Sequence, residues 1–280
     1  MPEVSTIPKN ANGKTTFVVG LIPARWGSTR FPGKPLHAIA GQPLLQHVWQ
    51  RCQQARELDL VAVATDDDRI AAAAAGFGAR VIMTRPEHPS GTDRCAEAAA
   101  ALAGEGVTHV INIQGDEPLI DPALIDQLAG LLRQQSEVAM VTAACRLTEA
   151  SDIASEHVVK LVCDDHGRAL YFSRSAIPFH RRHSFSPPPA ADPAPGYLRH
   201  LGIYGYRLDT LQTLVNLPPS PLEQAESLEQ LRALSAGIPI HVVLTTHRSP
   251  GIDTPEQAAA LEREFQLADG SEPGSMAGSQ

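Results

Sequence analysis

Cysteine is scarce in this chain of 280 residues, and Cys52, Cys95, Cys145 and Cys163 stand far apart with no CxxC pair. That usage suits a reducing cytosol, where a buried cysteine serves as a small hydrophobe. No apolar run approaches membrane-spanning length. The polar start MPEVSTIPKNANGKTT holds no hydrophobic segment of signal-peptide type, so a cytoplasmic location is expected. Excess positive charge is missing too. A formal net charge of -8 argues against a general binder of nucleic acid or anionic membrane, whose affinity would come from surplus Lys and Arg. A small acidic substrate stays open, because a local cluster of cations can sit in an acidic protein. The chain also lacks an internal repeat, a heptad array, HExxH, Cys/His zinc spacing and a serine nucleophile elbow.

What is present is an alternation. TFVVGLI (16–22), LVAVAT (60–65), ARVIM (79–83), VTHVINIQ (107–114) and VAMVTAA (138–144) read as buried strands. Residues 43–55, 67–78, 90–104 and 121–135 read as helices, with Pro43 and Pro122 at early helical positions, where a missing N–H costs nothing. The rhythm predicts an α/β fold, a mostly parallel Rossmann-like sheet with helices on both faces. After about residue 150 it changes. VVKLVC (158–163) and ALYF (169–172) flank the hairpin signal DDHGR, and LRHLGIYGYR (198–207) is a third strand candidate beyond a proline-rich loop, a candidate lid. A helical segment (227–237), a strand (240–246) and a last helix follow. The expected organisation is a flexible leader 1–15, an α/β core 16–150, a smaller mixed α+β insertion 151–237, a return to the core 238–268 and a Gly/Ser-rich tail 269–280.

LIPARWGSTRFPGKPL (21–36) places Arg25, Arg30 and Lys34 with two glycines directly after the first strand. Five residues separate Gly27 from Gly33, and Pro35 stands where a Walker site needs its magnesium-binding hydroxyl. Proline there also disfavours a helical conformation for Lys34. The dinucleotide fingerprint is absent as well. A long cationic loop at the carboxyl end of a strand remains, which is where open α/β sheets bind ligands and where Arg and Lys grip phosphate. QGDEP brings Asp116 to the same sheet edge, and GIDTPEQ puts Asp253 ahead of a helix. Two hard-oxygen ligands from distant segments suit Mg²⁺, which often takes only one or two from protein. The plain alternative for Asp253 is a favourable place on the helix dipole, and for Ser90 and Thr92 in SGTDR it is helix capping. Asp66 in ATDDD reads most simply as a cap, and Glu117 as structural.

The loop, read with SGTDR (90–94), QGDEP (114–118), LYFSR (170–174), LRHLGIYGY (198–206), PSPLEQAESLEQLR (219–232) and GIDTPEQ (251–257), closely resembles the sugar-acid cytidylyltransferases, and among them the CMP-Kdo synthetases. The match runs in order from about residue 16 to 266. The resemblance implies a nucleotidyltransferase fold, Mg²⁺ dependence and a homodimer, with residues 151–237 carrying sugar-acid binding and dimer contacts. CTP and 3-deoxy-D-manno-octulosonate (Kdo) would be the substrates, CMP-Kdo and pyrophosphate the products, and Kdo would be activated for lipopolysaccharide synthesis. It implies that Ala24, Arg25, Arg30, Lys34, Ser90, Arg94 and Gln114 serve the nucleotide and that Asp116 and Asp253 hold the metal. Arg25 and Lys34 join those two carboxylates as the catalytic set.

For the sugar acid the implied set is Arg174, His200, Tyr204, Glu229 and Gln230, a cation, hydrogen-bond donors and acceptors that suit a carboxylate with several hydroxyls. Along a strand His200 and Tyr204 face the same side, and Gly202 leaves room between them. Ordinary packing is the plainer reading of each, as surface solvation is for His180, Arg181, Arg182 and His183. Two rival functions stay open at this point: a cytidylyltransferase for another sugar acid, such as sialic acid, and a non-catalytic nucleotide-binding protein on the same fold.

Overall fold

Alternate residues of β1 (Val18–Ala24) are buried on opposite faces. Val18, Ile22 and Ala24 join one apolar cluster, Val19 and Leu21 another. A strand buried on both faces needs helices on both sides. The computed structural model, which describes residues 16–27, 31–181, 196–247 and 251–268, has that architecture. After β1 come β2 (Ala38–Ile39), β3 (Gln42–Pro43), α1 (Leu44–Cys52), β4 (Leu60–Thr65), α2 (Asp68–Gly76) and β5 (Arg80–Met83). Then follow α3 (Gly91–Ala101), β6 (His109–Asn112), α4 (Pro122–Gln134), β7 (Met140–Arg146) and α5 (Ala150–Ala154). The chain continues through β8 (Lys160–Cys163), β9 (Ala169–Ser173), β10 (Leu198–Arg207), α6 (Leu208–Asn216), α7 (Pro221–Glu226), α8 (Gln230–Ser235), β11 (Ile240–Thr245) and α9 (Pro255–Ala268).

The main sheet runs β11-β7-β10-β6-β1-β4-β5. Its pairings are parallel except at β10, which lies antiparallel to both β6 and β7. One apolar cluster joins α1, α2 and α4 to one face of the sheet; α3, α6 and α8 cover the other. The chain builds β4 and β5 on one side of β1, then returns to place β6 on the other. This reversal makes the carboxyl ends of β1 and β6 the switch point, where α/β sheets open a crevice.

Residues 151–237 do not form a sheet of their own. β8 and β9 make the hairpin expected from DDHGR, with Gly167 at φ 75° and the Asp164 carboxylate accepting from the His166 and Arg168 amides. This hairpin pairs onto β10, which is itself a central strand of the main sheet. β11 then returns alongside β7. A wholly buried Lys160 ties the hairpin down, its ammonium donating to the carbonyls of Ser155 (2.7 Å), Val158 (2.6 Å) and Arg174. The leader, the proline-rich loop from 182 to 195 and the tail from 269 lie outside the described residues.

Candidate active site

Gly33 sets the geometry after β1. It sits at φ 72°, in the left-handed region that favours glycine, and a Cβ there would stand 3.0 Å from the Trp26 ring. Its amide donates to the Trp26 carbonyl at 3.2 Å, which brings Gly33 and Trp26 together. Lys34 then opens a single 3₁₀ turn, Lys34–Leu36, with Pro35 buried inside it. The sequence argues against a helical Lys34, yet the turn forms. So near a helix start Pro35 forfeits no bond by lacking an N–H, and Gly33 supplies the reversal that a residue with a Cβ resists.

The turn aims the Lys34 ammonium at two carboxylates, 2.6 Å from Asp116 Oδ2 and 3.3 Å from Asp253 Oδ1. The two segments are laced together by the Ile252 amide, which donates to the Asp116 carbonyl at 2.8 Å. A Cβ on Gly251 would lie 3.8 Å from Asp116 Oδ1. Thr254 caps α9 through the Gln257 and Ala258 amides, which leaves the Asp253 carboxylate facing Lys34.

These groups line an open cavity of about 330 Å³, bounded by Ala24, Arg25, Lys34, Ser90, Arg94, Gln114, Asp116 and Asp253 among others. All eight were marked in the sequence for the nucleotide or the metal; Arg30, the ninth, lies outside the described residues. Arg25 is exposed at the rim. Ser90 caps α3, accepting from the Asp93 amide at 3.2 Å, and still lines the cavity. Arg94 is almost wholly buried and paired with Asp66 at 3.0 Å, with Thr84 also accepting from it. The cap of α2 is therefore Asp67, not Asp66, which serves Arg94 instead.

A second cavity of about 190 Å³ adjoins the first along Gly91 and Gln114. Tyr204, Glu229 and Gln230 line it with Thr92, Asn112 and Tyr206. Burial and the nearby Glu229 carboxylate hold the Tyr204 phenol well above its ordinary range, so it stays a donor. His200 lines neither cavity. It packs behind Tyr204, with ring centroids 5.4 Å apart, and its Nε2 lies 3.0 Å from the Thr142 hydroxyl. That hydroxyl donates to a β10 carbonyl, so the imidazole Nε2–H donates to it. Burial lowers His200 to about 3, which keeps it neutral and unlike the tunable cavity donor expected. Arg174 also lies away from both cavities, donating to the backbone carbonyls of Glu226 (2.8 Å) and Glu156 (3.1 Å).

Sequence reasoning passed over His88, Asn112 and Tyr206. His88 lines the first cavity with its Nε2 bonded to Glu97, and nothing but its position just before SGTDR hinted at this. Of the basic cluster read as solvated, His180 is in fact buried against Tyr197, ring centroids 4.7 Å apart. Arg182 and His183 fall outside the described residues. Burial, helped by the neighbouring Asp116 carboxylate, raises Glu117 to about 8.

Residues 19–240 match the cytidylyltransferase family. The chain belongs to that family. A 3-deoxy-manno-octulosonate cytidylyltransferase from Syntrophobacter fumaroxidans is 49% identical over 244 residues, covering 87% of this chain and 95% of that protein. One of the same name from Marinobacter nauticus is 50% identical over 248 residues, covering 86% and 94%. A solved structure of CMP:2-keto-3-deoxy-manno-octonic acid synthetase complexed with CTP superposes with a TM-score of 0.81 at 41% identity, covering 90% of this chain and all of that one. A cytidylyltransferase from Leptospira borgpetersenii, 16% identical over 94% of this chain and all of its own, shares the fold with a TM-score of 0.56.

Proposed function

We infer that this protein transfers CMP from CTP to Kdo, releasing pyrophosphate. The observation that carries the reading is the shared wall of the two cavities: Gln114 and Gly91 border both the carboxylate and cation site and a second, hydroxyl- and carboxamide-lined site. Two substrates held side by side across that wall meet the first requirement of a direct displacement, which is placement. The curated relatives of nearly half identity over most of the chain point to Kdo in preference to another sugar acid.

Arg25, Lys34 and Arg30 carry the charge that the triphosphate needs, with Ser90, Arg94 and Gln114 on the nucleotide side of the wall. The sugar acid lies against Tyr204, Glu229 and Gln230. Its anomeric hydroxyl attacks the α-phosphorus of CTP, the O–P bond forms, and the bond to the β-phosphate oxygen breaks as pyrophosphate leaves. The hydroxyl proton passes to solvent. No side chain is asked to be a nucleophile, because such transfers depend on positioning and charge neutralisation.

The carboxylates fit Mg²⁺. They share one cation within hydrogen-bonding reach in Lys34, they are hard oxygen donors, and Mg²⁺ takes its remaining ligands from water and phosphate. Asp116 and Asp253 would hold it, and when bound it supplies charge neutralisation and a lowered pKa for the attacking hydroxyl. Lys34 balances the same two carboxylates before the substrates arrive. A homodimer is proposed from the family resemblance alone. A cytoplasmic setting is supported by four cysteines that are all free. Among the described residues no helix is long and apolar enough to cross a membrane.

Pyrophosphate release with CTP and Mg²⁺ tests the reading. Turnover with Kdo and little with sialic acid is expected; the reverse preference overturns the substrate assignment, and omission of Mg²⁺ should abolish the reaction. Sedimentation of the same preparation tests the dimer.

A further inference from the structure

Asn112 ends β6 and is 1% exposed, yet its Oδ1 has no hydrogen-bond partner among the described residues. A buried carboxamide oxygen left unpaired forfeits the hydrogen bonds it made in water, so native structures rarely leave one without a reason. The register explains where it faces. Asn112 pairs with Leu21 on one side and with Tyr204 of β10 on the other, and it lines the smaller cavity together with Tyr204. A second orphan lies on the same wall: Gln230 is 6% exposed, and its Nε2 is likewise without a partner. One orphan is an acceptor, the other a donor. A hydroxyl group is the chemistry that satisfies both kinds, since it donates one hydrogen bond and accepts others.

We propose that Asn112 is a specificity-determining residue of the sugar-acid site, its carboxamide oxygen accepting a hydrogen bond from a hydroxyl of the bound sugar acid. The inference rests on the reaction assigned above, and it adds a residue that neither the motifs nor the resemblance had marked. Asn112 stands two residues before Gln114 and four before Asp116. One strand end thus delivers, in order, a group in the smaller cavity, a group shared by both, and a carboxylate of the larger. A site that expects a hydroxyl discriminates strongly against ligands that lack it, because its own buried group is then left unpaired.

The test is Asn112→Leu, close in size but unable to accept, compared with wild type in the pyrophosphate assay and by thermal unfolding without substrates. The KM for Kdo should rise roughly tenfold or more while the KM for CTP stays within twofold. The substrate-free unfolding midpoint should hold or rise, because an apolar group replaces an unpaired polar one. Asn112→Ala is measured alongside, so that a packing fault specific to leucine does not decide the matter; the same KM split is expected. A rise in the CTP KM instead, or an unmoved Kdo KM in both variants whatever the midpoint does, overturns the proposal. Failure of the reaction assignment looks different: wild type itself would then not turn over Kdo.

Discussion

Lys34 Nζ stands 2.6 Å from Asp116 Oδ2, although 82 residues separate them, and the same ammonium reaches Asp253. One cation therefore spans three of the segments that bound the larger cavity: the loop after β1, the turn after β6 and the stretch before α9. Without a cation between them, two carboxylates this close would repel one another. The lysine is thus the internal counter-ion of a pair that the proposed function assigns to a divalent metal.

Asp116→Asn keeps the shape of the side chain and removes its charge. It should lower turnover by a factor of about 10² to 10³, in the range seen when one transition-state electrostatic partner is lost. CTP binding, read by calorimetry without Kdo, should stay within a few-fold, since the residues proposed for the nucleotide are Arg25, Arg30, Lys34, Ser90, Arg94 and Gln114. A non-catalytic nucleotide-binding protein would show no turnover to lose. Asp253→Asn should behave in the same direction, and a variant with full activity at either position would remove it from the metal site.

Gly33→Ala tests the loop. Forcing an alanine to φ 72° costs about 1–2 kcal/mol, and the new methyl would press on a Trp26 ring that also carries the Arg69 guanidinium over it, 3.4 Å from the ring centroid. The expected result is a loss of stability of that size in urea unfolding and a raised KM for CTP, because Lys34 follows directly. An unchanged KM would mean that the turn can re-form around alanine.

Much of this was legible in the sequence. The main-sheet strands of the first half and β10 lie within two residues of their expected places, because runs such as LVAVAT are apolar throughout and bounded by polar turns, whereas the two-residue strands β2 and β3 have no counterpart among the sequence expectations. Of the eight cavity residues, Arg25, Lys34, Asp116 and Asp253 stand out in the sequence itself, because a cationic loop, a QGDEP turn and a pre-helical Asp fall at strand ends or helix starts, which one sheet edge gathers; Ala24, Ser90, Arg94 and Gln114 are what the family resemblance implies. What escaped notice depends on contacts across the sheet. Apolar periodicity cannot tell that β10 would enter between β6 and β7, and so Asn112 looked like one more residue inside a strand. Nor could it tell that the Arg174 guanidinium would be taken up by carbonyls, or that His200 would be sealed behind Tyr204. The sequence reading has no helix at α7, although Ser220 and Glu223 form its capping box, a signal that a Ser and a Glu three residues apart do carry.

Arg133 on α4 is a structural counterpart to the site lysine. It donates to the Thr16 carbonyl and hydroxyl, to the Glu57 carbonyl and to Asp59, whose side chain is almost wholly buried. Asp59 in turn accepts from the Val18 amide at 2.8 Å, at the head of β1. Arg133→Met leaves that carboxylate buried without its cation. A loss of about 3–5 kcal/mol is expected in urea unfolding, with the KM values of the surviving folded enzyme unchanged, since these residues line neither cavity. A loss below about 1 kcal/mol would show that the carboxylate finds water instead.

Stability should fall on mild acidification, and although burial also lowers His241 and His247, the two most strongly lowered histidines are His200 and His109. Burial is the main cause that lowers His200 to about 3 and His109 to about 4, the latter assisted by the Arg207 and Arg133 charges. In the unfolded chain both return to about 6.5. Below that value the unfolded state binds protons that the fold excludes, so their contribution is fully present above pH 6.5 and is lost as pH falls toward 4. Each residue adds a slope approaching about 1.4 kcal/mol per pH unit within that window. Urea unfolding at pH 7.5 and pH 5 should therefore give a lower stability at pH 5. His109→Gln and His200→Gln should each shrink that difference, whatever they cost at pH 7.5. A pH difference untouched by either substitution would show that neither histidine is held neutral by the fold.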